Sequence, residues 1–435
     1  MKITNINIRF FTKAKSTVLL NFLSLASIQG LSYILPLITL PYLVKTLAPE
    51  GYGVYGFVIA IMQYGCLITD YGFNLTATKQ IAVFRNDKSK VSEIFFSVIA
   101  AKIILFLISV IVLFFIILFD TSVKNNISVL LAASGLIIGN IIFPLWLFQG
   151  KEKMGWIALS NISARALSVP MIFIFVLNSN DIWKAALITG LSNVLAGIIS
   201  LFFVYRNKWI DFHKIRELSI RFQLKQGWHI FISTVAMNIY TASVVLIIGV
   251  MLGPKAVGLF LAADKIRLAV QGLISPLSQA IYPKINLLMK ENPEKAFAII
   301  RRLFLFQGGG TFLLSILLYL FSPAIITCMY GQNYQSSITV LKILAWLPFV
   351  IGISNIYGYQ VLLVMGRKVI YSKIIITGGI VYSFLIIPLL SYKSINGAAI
   401  SILITELVIN MLMAAVIIKS KYPVYPWSNC KNDKS

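Results

Sequence analysis

Acidic side chains are scarce in this 435-residue chain, which has 14 Asp and Glu residues against 38 Lys and Arg residues. Charged residues of both signs make up 12% of the chain, whereas soluble domains carry about 25%. The sequence is also 58% hydrophobic. These values exclude an ordinary soluble domain and predict an all-α integral membrane protein.

Cysteine and histidine are equally sparse. The three Cys and two His residues have no metal-ligand spacing, so the sequence predicts no metal site. There is no GxxxxGK[ST] loop and no nucleophile–base set, which argues against an ATP-driven pump and against an enzyme. A GxGxxG pattern at 51–56 lies between two apolar runs and not after a strand, so a dinucleotide site is rejected and a tight turn is favoured.

Long apolar runs fill most of the chain. A membrane helix needs about 20 apolar residues, and twelve such spans are predicted. They lie at 17–41, 53–74, 94–119, 127–148, 157–177, 183–204, 229–252, 257–282, 302–322, 336–364, 372–390 and 397–418. The predicted units are a six-helix lobe (1–204), a basic amphipathic cytoplasmic linker (205–228), a second six-helix lobe (229–418) and a cytoplasmic tail (419–435).

The basic residues test this span count. With the N-terminus inside, 28 of the 38 Lys and Arg residues fall in inner segments, five fall in outer loops and five fall within spans. Such a bias is typical of cytoplasmic loops. The chain is therefore predicted to be a multi-pass protein with both termini cytoplasmic. The net charge of +24 is a membrane-surface feature, and no nucleic-acid partner is expected.

The two halves contain an internal repeat. Residues 47–55 (LAPEGYGVY) match residues 252–260 (LGPKAVGLF) at an offset of 205, and each copy lies between the first and second span of its half. Six spans per half give both copies the same orientation, with a symmetry axis along the membrane normal. Two such halves are expected to enclose one central site and to rock around it.

The segment 262–283 is apolar enough to span a membrane, yet it carries Asp264, Lys265 and Arg267. On a helix, Asp264, Arg267 and Gln271 share one polar stripe. An intramembrane charge costs about 2.5–3.5 kcal/mol even on lenient scales, so such charges usually serve a function. A stripe lining a transport cavity is favoured over a helix-internal ion pair that only aids folding.

Other polar residues within spans are weaker candidates. Arg165 is interpreted as a phosphate ligand or as a snorkelling cation. Asn238 and Thr241 suit sugar hydroxyls, with interhelical hydrogen bonding as the alternative. Asp70 is either an ion-coupling carboxylate or a helix-end partner of Lys79. Lys102 is expected to snorkel, and Gln63 is expected to bind sugar hydroxyls. Glu406 is interpreted either as a proton carrier or as a buried hydrogen-bonded acid.

Several segments resemble the Wzx-type flippases of O-antigen and polysaccharide repeat units. They are Leu35–Leu43, the 47–57 repeat, Asp70–Lys79, Ala263–Ile266 with Tyr282-Pro283, and Ser394–Ala399. The resemblance implies a MATE-like fold of two lobes in the multidrug/oligosaccharidyl-lipid/polysaccharide exporter superfamily. It also implies a cargo of undecaprenyl-diphosphate-linked oligosaccharide, with Arg267, Lys265 and Arg165 as the residues that match the family's cationic, diphosphate-holding role.

The resulting hypothesis is an alternating-access flippase of the bacterial inner membrane. Gln271 joins the hydroxyl-binding residues, and Asp264, Asp70 or Glu406 couples H⁺ or Na⁺, with no other cofactor. Expected partners are the lipid-linked oligosaccharide, membrane lipids and other polysaccharide-assembly membrane proteins. Two rivals are a MATE-type cation-coupled drug exporter and a membrane-embedded polysaccharide polymerase, although such polymerases tend to have a large outer loop that is missing here.

Overall fold

The computed structural model describes residues 38–119, 124–213, 217–272, 275–420 and 422–425, and all regular structure in these ranges is helical. The first helix, α1, covers residues 38–70. The N-terminal part continues with α2 Phe73–Val83, α3 Lys88–Phe119, α4 Ile127–Ala133, α5 Gly135–Ile142, α6 Leu145–Gly150, α7 Met154–Phe175 and α8 Ile182–Arg206.

The C-terminal part is helical in the same way. Its elements are α9 Glu217–Thr241, α10 Ser243–Leu252, α11 Pro254–Gly272, α12 Ser275–Glu291, α13 Pro293–Leu303, α14 Gly309–Tyr330, α15 Ser336–Leu344, α16 Leu347–Asn355, α17 Lys368–Lys393 and α18 Ile395–Lys419. Two π-helical segments, Phe304–Gly308 and Ile356–Leu363, connect neighbouring helices.

Nine helices in the described ranges are long and apolar enough to cross a membrane. The prediction of an all-α membrane protein is therefore confirmed, whereas the count of twelve stays a prediction. The first predicted span, 17–41, lies outside the described residues except for its last four. The predicted span 229–252 is divided into α9 and α10 at Ala242, and the span 257–282 is divided between α11 and α12.

The apolar cores reveal how the halves meet. We name the two ends of the molecule by their connections. The hairpin end carries the bend of α1 at Ala48, which has a φ of 57°, and the turns near residues 178, 253, 333 and 394. The basic end carries the connections 84–87, 151–153, 207–213 and 364–367. One core at the hairpin end combines residues of both halves, such as Val44 and Leu344. At the basic end each half has its own core, around Phe73 in one and around Ile300 in the other. The halves therefore share an apolar core at the hairpin end, whereas at the basic end they meet through α9, which packs against α2 and α3.

The two copies of the internal repeat cross each other at the hairpin end. A methyl group added at Gly53 would lie 1.7 Å from the carbonyl oxygen of Pro254, and one added at Gly258 would lie 1.9 Å from that of Pro49. These positions are related by the offset of 205, so the contact is reciprocal. Only glycine allows the backbones of α1 and α11 to approach this closely.

The predicted linker, 205–228, does not form a separate surface helix. Its start is the end of α8 followed by a loop in which Ile210 is buried in the core at the basic end. From Glu217 onward it is the first half of α9. This helix packs tightly against the α1–α2 junction, because a methyl group at Gly227 would meet the Tyr71 carbonyl oxygen at 2.6 Å. Amphipathicity predicted a membrane-surface helix; in the structure Ile220 and Leu224 pack against the core of the first half, whereas Leu218 and Phe222 are exposed.

Candidate functional site between the two halves

The polar stripe of α11 forms one hydrogen-bonded cluster. Arg267 donates from Nε to Asp264 Oδ1 at 3.0 Å and from a terminal nitrogen to Gln271 Oε1 at 2.6 Å. Its other terminal nitrogen also contacts Asp264 Oδ1. We call Asp264, Arg267 and Gln271 the α11 cluster. The spacing of three and four residues places these side chains on one face of the helix, as predicted.

The α11 cluster lies where the halves meet. The side chains of Asp264 and Arg267 are only 13% and 12% exposed. Leu261 of α11 packs against Gly56 of α1, and α11 also contacts α18 of its own half. The cluster therefore lies on a helix that packs against both halves.

Four tyrosines close the hairpin end beside this cluster. The Tyr330 and Tyr334 rings lie 5.5 Å apart, and those of Tyr52 and Tyr55 lie 6.1 Å apart. Tyr334 donates its hydroxyl to the carbonyl oxygen of Val44 at 2.9 Å, which joins the second half to the first. Together with the glycine crossing, these buried rings seal the seam at this end.

The residues predicted to meet sugar hydroxyls lie on α1 and α9. Gln63 is exposed, and the neighbouring Tyr64 donates its hydroxyl to the Asn238 carbonyl oxygen at 3.2 Å. The Asn238 side chain donates to the Thr234 carbonyl oxygen at 2.8 Å within its own helix. The side chain of Thr241 lies outside the described residues. Tyr64 therefore joins α1 to α9 at Asn238, whereas Gln63 projects from a different side of α1.

The other predicted cations differ from Arg267. Lys265 is exposed and follows Asp264 by one residue, so it projects from a different side of α11. Arg165 is exposed near the middle of α7, a helix that packs against α8. Neither shares the polar face of the α11 cluster.

Asp70 and Lys102 form a network that the sequence did not predict. The Lys102 side chain is 1% exposed, and its ammonium group lies 3.0 Å from Asp70 Oδ1. It also donates to the Asn140 carbonyl and side-chain oxygens, at 3.0 and 3.2 Å. Asn140 donates to Asp70 Oδ2 at 3.2 Å. The expectations of snorkelling by Lys102 and of a helix-end pair between Asp70 and Lys79 are both wrong.

We call Asp70, Lys102 and Asn140 the N-lobe network. Three oxygens around the ammonium group satisfy its three donors, and the pairing keeps the charges compensated in a low-dielectric site. The sequence signal was one polar residue in each of three consecutive predicted spans. One-dimensional spacing cannot reveal such a contact, because it depends on how the three helices rotate and pack.

Glu406 differs from the other two intramembrane acids. Among the described residues, no side chain forms an ion pair or hydrogen bond with its carboxylate. Asn410, one turn further along α18, donates to the backbone oxygens of Glu406 and Val350 at 3.1 and 2.8 Å. Within the described part of the chain, no group of three or more His, Cys, Asp or Glu residues is placed to hold a metal ion.

The fold defines the class of protein. The chain resembles an inward-facing multidrug-resistance MATE family transporter of the MOP superfamily with a TM-score of 0.63 and 15% identity, over 89% of this chain and 99% of the other. It resembles the lipid II flippase MurJ in an inward closed conformation with a TM-score of 0.66 and 15% identity, over 92% and 87%. These likenesses define a MATE-like membrane-protein fold.

Sequence similarity identifies the family. Residues 18–289 match the polysaccharide biosynthesis protein family, and the chain belongs to it. The chain is 40% identical over 403 residues to the "Putative O-antigen transporter" of Escherichia coli (strain K12), covering 92% of this chain and 97% of that one. A Shigella dysenteriae protein of the same name is 31% identical over 396 residues, covering 90% and 98%. Both relatives are named as transporters and neither is named as an enzyme.

Proposed function

We propose that this protein flips undecaprenyl-diphosphate-linked O-antigen, or related polysaccharide, repeat units from the cytoplasmic to the periplasmic leaflet of the bacterial inner membrane. The observation that carries the proposal is a guanidinium group, Arg267, held on the seam between two halves that share an apolar core at the hairpin end. The names of the relatives and the likeness to a lipid II flippase support the same cargo class.

In this proposal the two halves work by alternating access. The basic end is cytoplasmic, as are both termini, and the hairpin end is periplasmic. The sugar-diphosphate head enters from the basic end, where the two apolar cores are separate, and the lipid tail stays in the bilayer. Opening then requires the glycine crossing and the tyrosines at the hairpin end to separate while the basic end closes.

The proposed contacts follow from the chemistry of the cargo. Arg267 binds the diphosphate, because a guanidinium fork suits phosphate oxygens, and Lys265 and Arg165 add positive charge along the route. Gln271, Gln63, Asn238 and Thr241 meet sugar hydroxyls. The lipid-linked oligosaccharide and bilayer lipids are the partners, together with other polysaccharide-assembly membrane proteins, and no nucleic acid is involved.

Ion coupling is the second element of the proposal. Asp70 and Asp264 are each paired with a cation, so Glu406 is the strongest of the three candidates for carrying H⁺ or Na⁺. Outward movement of an anionic cargo is also favoured by an inside-negative potential, by about 2.3 kcal/mol per charge per 100 mV. Coupling therefore supplements a driving force that the cargo's own charge supplies.

The drug exporter is the main rival. Capture of a cationic drug needs an uncompensated acid in the cavity. Lys102 and Arg267 already compensate Asp70 and Asp264, so among these three acids only Glu406 is left for that role. An anionic cargo instead requires a cation that can change partners, and Arg267 meets this requirement. The short connections of the described part, such as 176–181 and 331–335, leave little room there for the outer loop expected of a polysaccharide polymerase.

The deciding experiment uses purified protein in liposomes with radiolabelled undecaprenyl-diphosphate-linked oligosaccharide in the leaflet facing the basic end. Flipping by wild-type protein, reduced at least tenfold by Arg267→Ala at equal protein level, is the expected result. Uptake of a cationic dye with no flipping of the lipid-linked sugar would contradict the proposal and favour drug export.

A further inference from the structure

Asp264 has no evident role in holding helices together. Its ion pair with Arg267 joins residues three apart on one helix, and α11 is already fixed by the buried side chains of Val257, Phe260 and Ala263. An ion pair between helices, such as Asp70–Lys102, ties separate elements. An ion pair within α11 ties nothing that the backbone does not already hold.

The contacts of Arg267 leave part of its fork unused. A guanidinium group has five N–H donors. The contacts to Asp264 and Gln271 use the Nε donor and one donor on each terminal nitrogen. One further N–H on each terminal nitrogen is therefore not used by these contacts, and among the described residues Asp264 is the one acid that forms an ion pair with the guanidinium group.

We propose that Asp264 is an internal anion that occupies Arg267 in the absence of cargo and competes with the cargo's diphosphate for it. This inference rests on the proposed function. Carboxylate and phosphate oxygens both accept hydrogen bonds from the same planar fork, so one can replace the other on Arg267. Asp264 thereby limits how tightly the protein holds its cargo.

Exchange of one anion for another explains why the pair is tolerated on a mostly buried seam. An unpaired guanidinium would carry a large desolvation penalty in every cargo-free step. With Asp264 three residues away, the charge is compensated before the diphosphate arrives and again after it leaves. The tethered carboxylate has a high effective concentration at Arg267, so it favours release of the cargo at the far leaflet.

Gln271 has a different task in this arrangement. It accepts from a terminal nitrogen of Arg267 at 2.6 Å, carries no charge and lies four residues beyond it. It therefore keeps the guanidinium group oriented when the carboxylate is displaced. Asp264→Asn removes a negative charge beside Arg267, and Gln271→Glu adds one. The two positions therefore allow matched substitutions with opposite changes of charge around one cation.

The test measures binding of undecaprenyl diphosphate to full-length protein in nanodiscs, for wild type, Asp264→Asn, Gln271→Glu and the double variant. Removing the competing carboxylate is expected to tighten binding about tenfold, and adding one at 271 to weaken it about tenfold. The double variant, which moves the carboxylate from 264 to 271, should return close to wild-type affinity. In liposomes, Asp264→Asn should also flip more slowly at saturating cargo, because release is impaired.

The outcomes separate this inference from the function on which it rests. If the wild-type protein binds undecaprenyl diphosphate and Asp264→Asn binds it equally or more weakly, the competing-anion role alone is overturned. Lack of binding by every protein would overturn the proposed diphosphate cargo and this inference together. Asp264→Glu, which keeps the competing charge, should bind less tightly than Asp264→Asn, and a melting temperature for each variant identifies misfolded protein. If Asp264→Asn does not fold, unchanged affinity in Gln271→Glu is the contradicting result.

Discussion

The N-lobe network and the α11 cluster use the same groups for different purposes. Each contains an Asp, a basic residue and a side-chain amide. In the N-lobe network the three residues come from α1, α3 and α5, and the Lys102 side chain is 1% exposed. In the α11 cluster all three come from one helix, and the charged pair is about one-eighth exposed at the seam between the halves.

This difference teaches how to distinguish structural from functional charges inside a membrane. A cation that satisfies all its donors across three helices cannot change partners without loosening the fold. A guanidinium group paired within its own helix can exchange one anion for another while the fold stays intact. We therefore expect substitutions in the N-lobe network to affect stability and substitutions in the α11 cluster to affect transport.

The largest effect is expected from Lys102→Met. It leaves Asp70, which is 31% exposed, without its cation and removes an ammonium group that joins three helices. Breaking a fully buried pair costs about 3 kcal/mol or more, and the partial exposure of Asp70 makes the expected cost somewhat smaller. We expect a sharply lower melting temperature in detergent and a lower protein level. The double variant Lys102→Met/Asp70→Asn should recover part of the loss. A melting temperature equal to that of wild type would show that the network is dispensable.

The next effect concerns transport. Arg267→Ala removes the guanidinium group and leaves Asp264, which is 13% exposed, without its cation. Because the pair joins no separate helices, we expect flipping to fall at least tenfold with a smaller loss of melting temperature than for Lys102→Met. Arg267→Lys should retain part of the activity, because it keeps the charge but not the fork. Normal surface polysaccharide at normal protein level in Arg267→Ala cells would refute the functional assignment.

A third prediction examines the crossing next to the α11 cluster. The methyl group of Gly258→Ala would lie 1.9 Å from the Pro49 carbonyl oxygen. The halves must therefore move apart at the hairpin end. We expect flipping to fall several-fold and a cysteine at position 55 to react faster with a polar thiol reagent. Gly155→Ala is the matched control, because Gly155 has open space around it and a negative φ. Gly253→Ala is unsuitable as a control, because Gly253 has a φ of +81°.

The smallest effect is expected for the exposed pair Arg85–Glu152 at the basic end. The hydrogen bond from Arg85, and then its charge, lower the pKa of the Glu152 carboxyl from its ordinary value. A carboxyl group whose pKa is lower in the folded state stabilises the fold at pH values above its unfolded-state pKa. This contribution disappears as the pH falls through the folded-state pKa. Because the pair is exposed, Glu152→Gln should leave melting curves nearly unchanged from pH 7 to pH 3. A loss comparable to that of Lys102→Met would contradict the distinction between buried and exposed pairs.

Periodicity predicted much that the structure bears out. The apolar runs predicted membrane helices, and the spacing of Asp264, Arg267 and Gln271 predicted one polar face. The division into two lobes and the orientation that the charge bias indicates stay predictions. The partnership of Asp70 with Lys102 and Asn140 was not predictable in the same way. It joins helices that are 32 and 70 residues apart, and residue spacing contains no information on helix rotation.

The sequence by itself determined that the chain enters a membrane, which residues form a polar face on a helix, and which positions of the two halves correspond. These three features depend on local hydrophobicity and on residue spacing. Only the tertiary structure decided that Gly53 and Gly258 touch, that Lys102 is buried, and that the halves share an apolar core at the hairpin end but meet through α9 at the basic end. Those facts depend on how closely and at what angle helices pack, which is set by contacts between residues far apart in the chain.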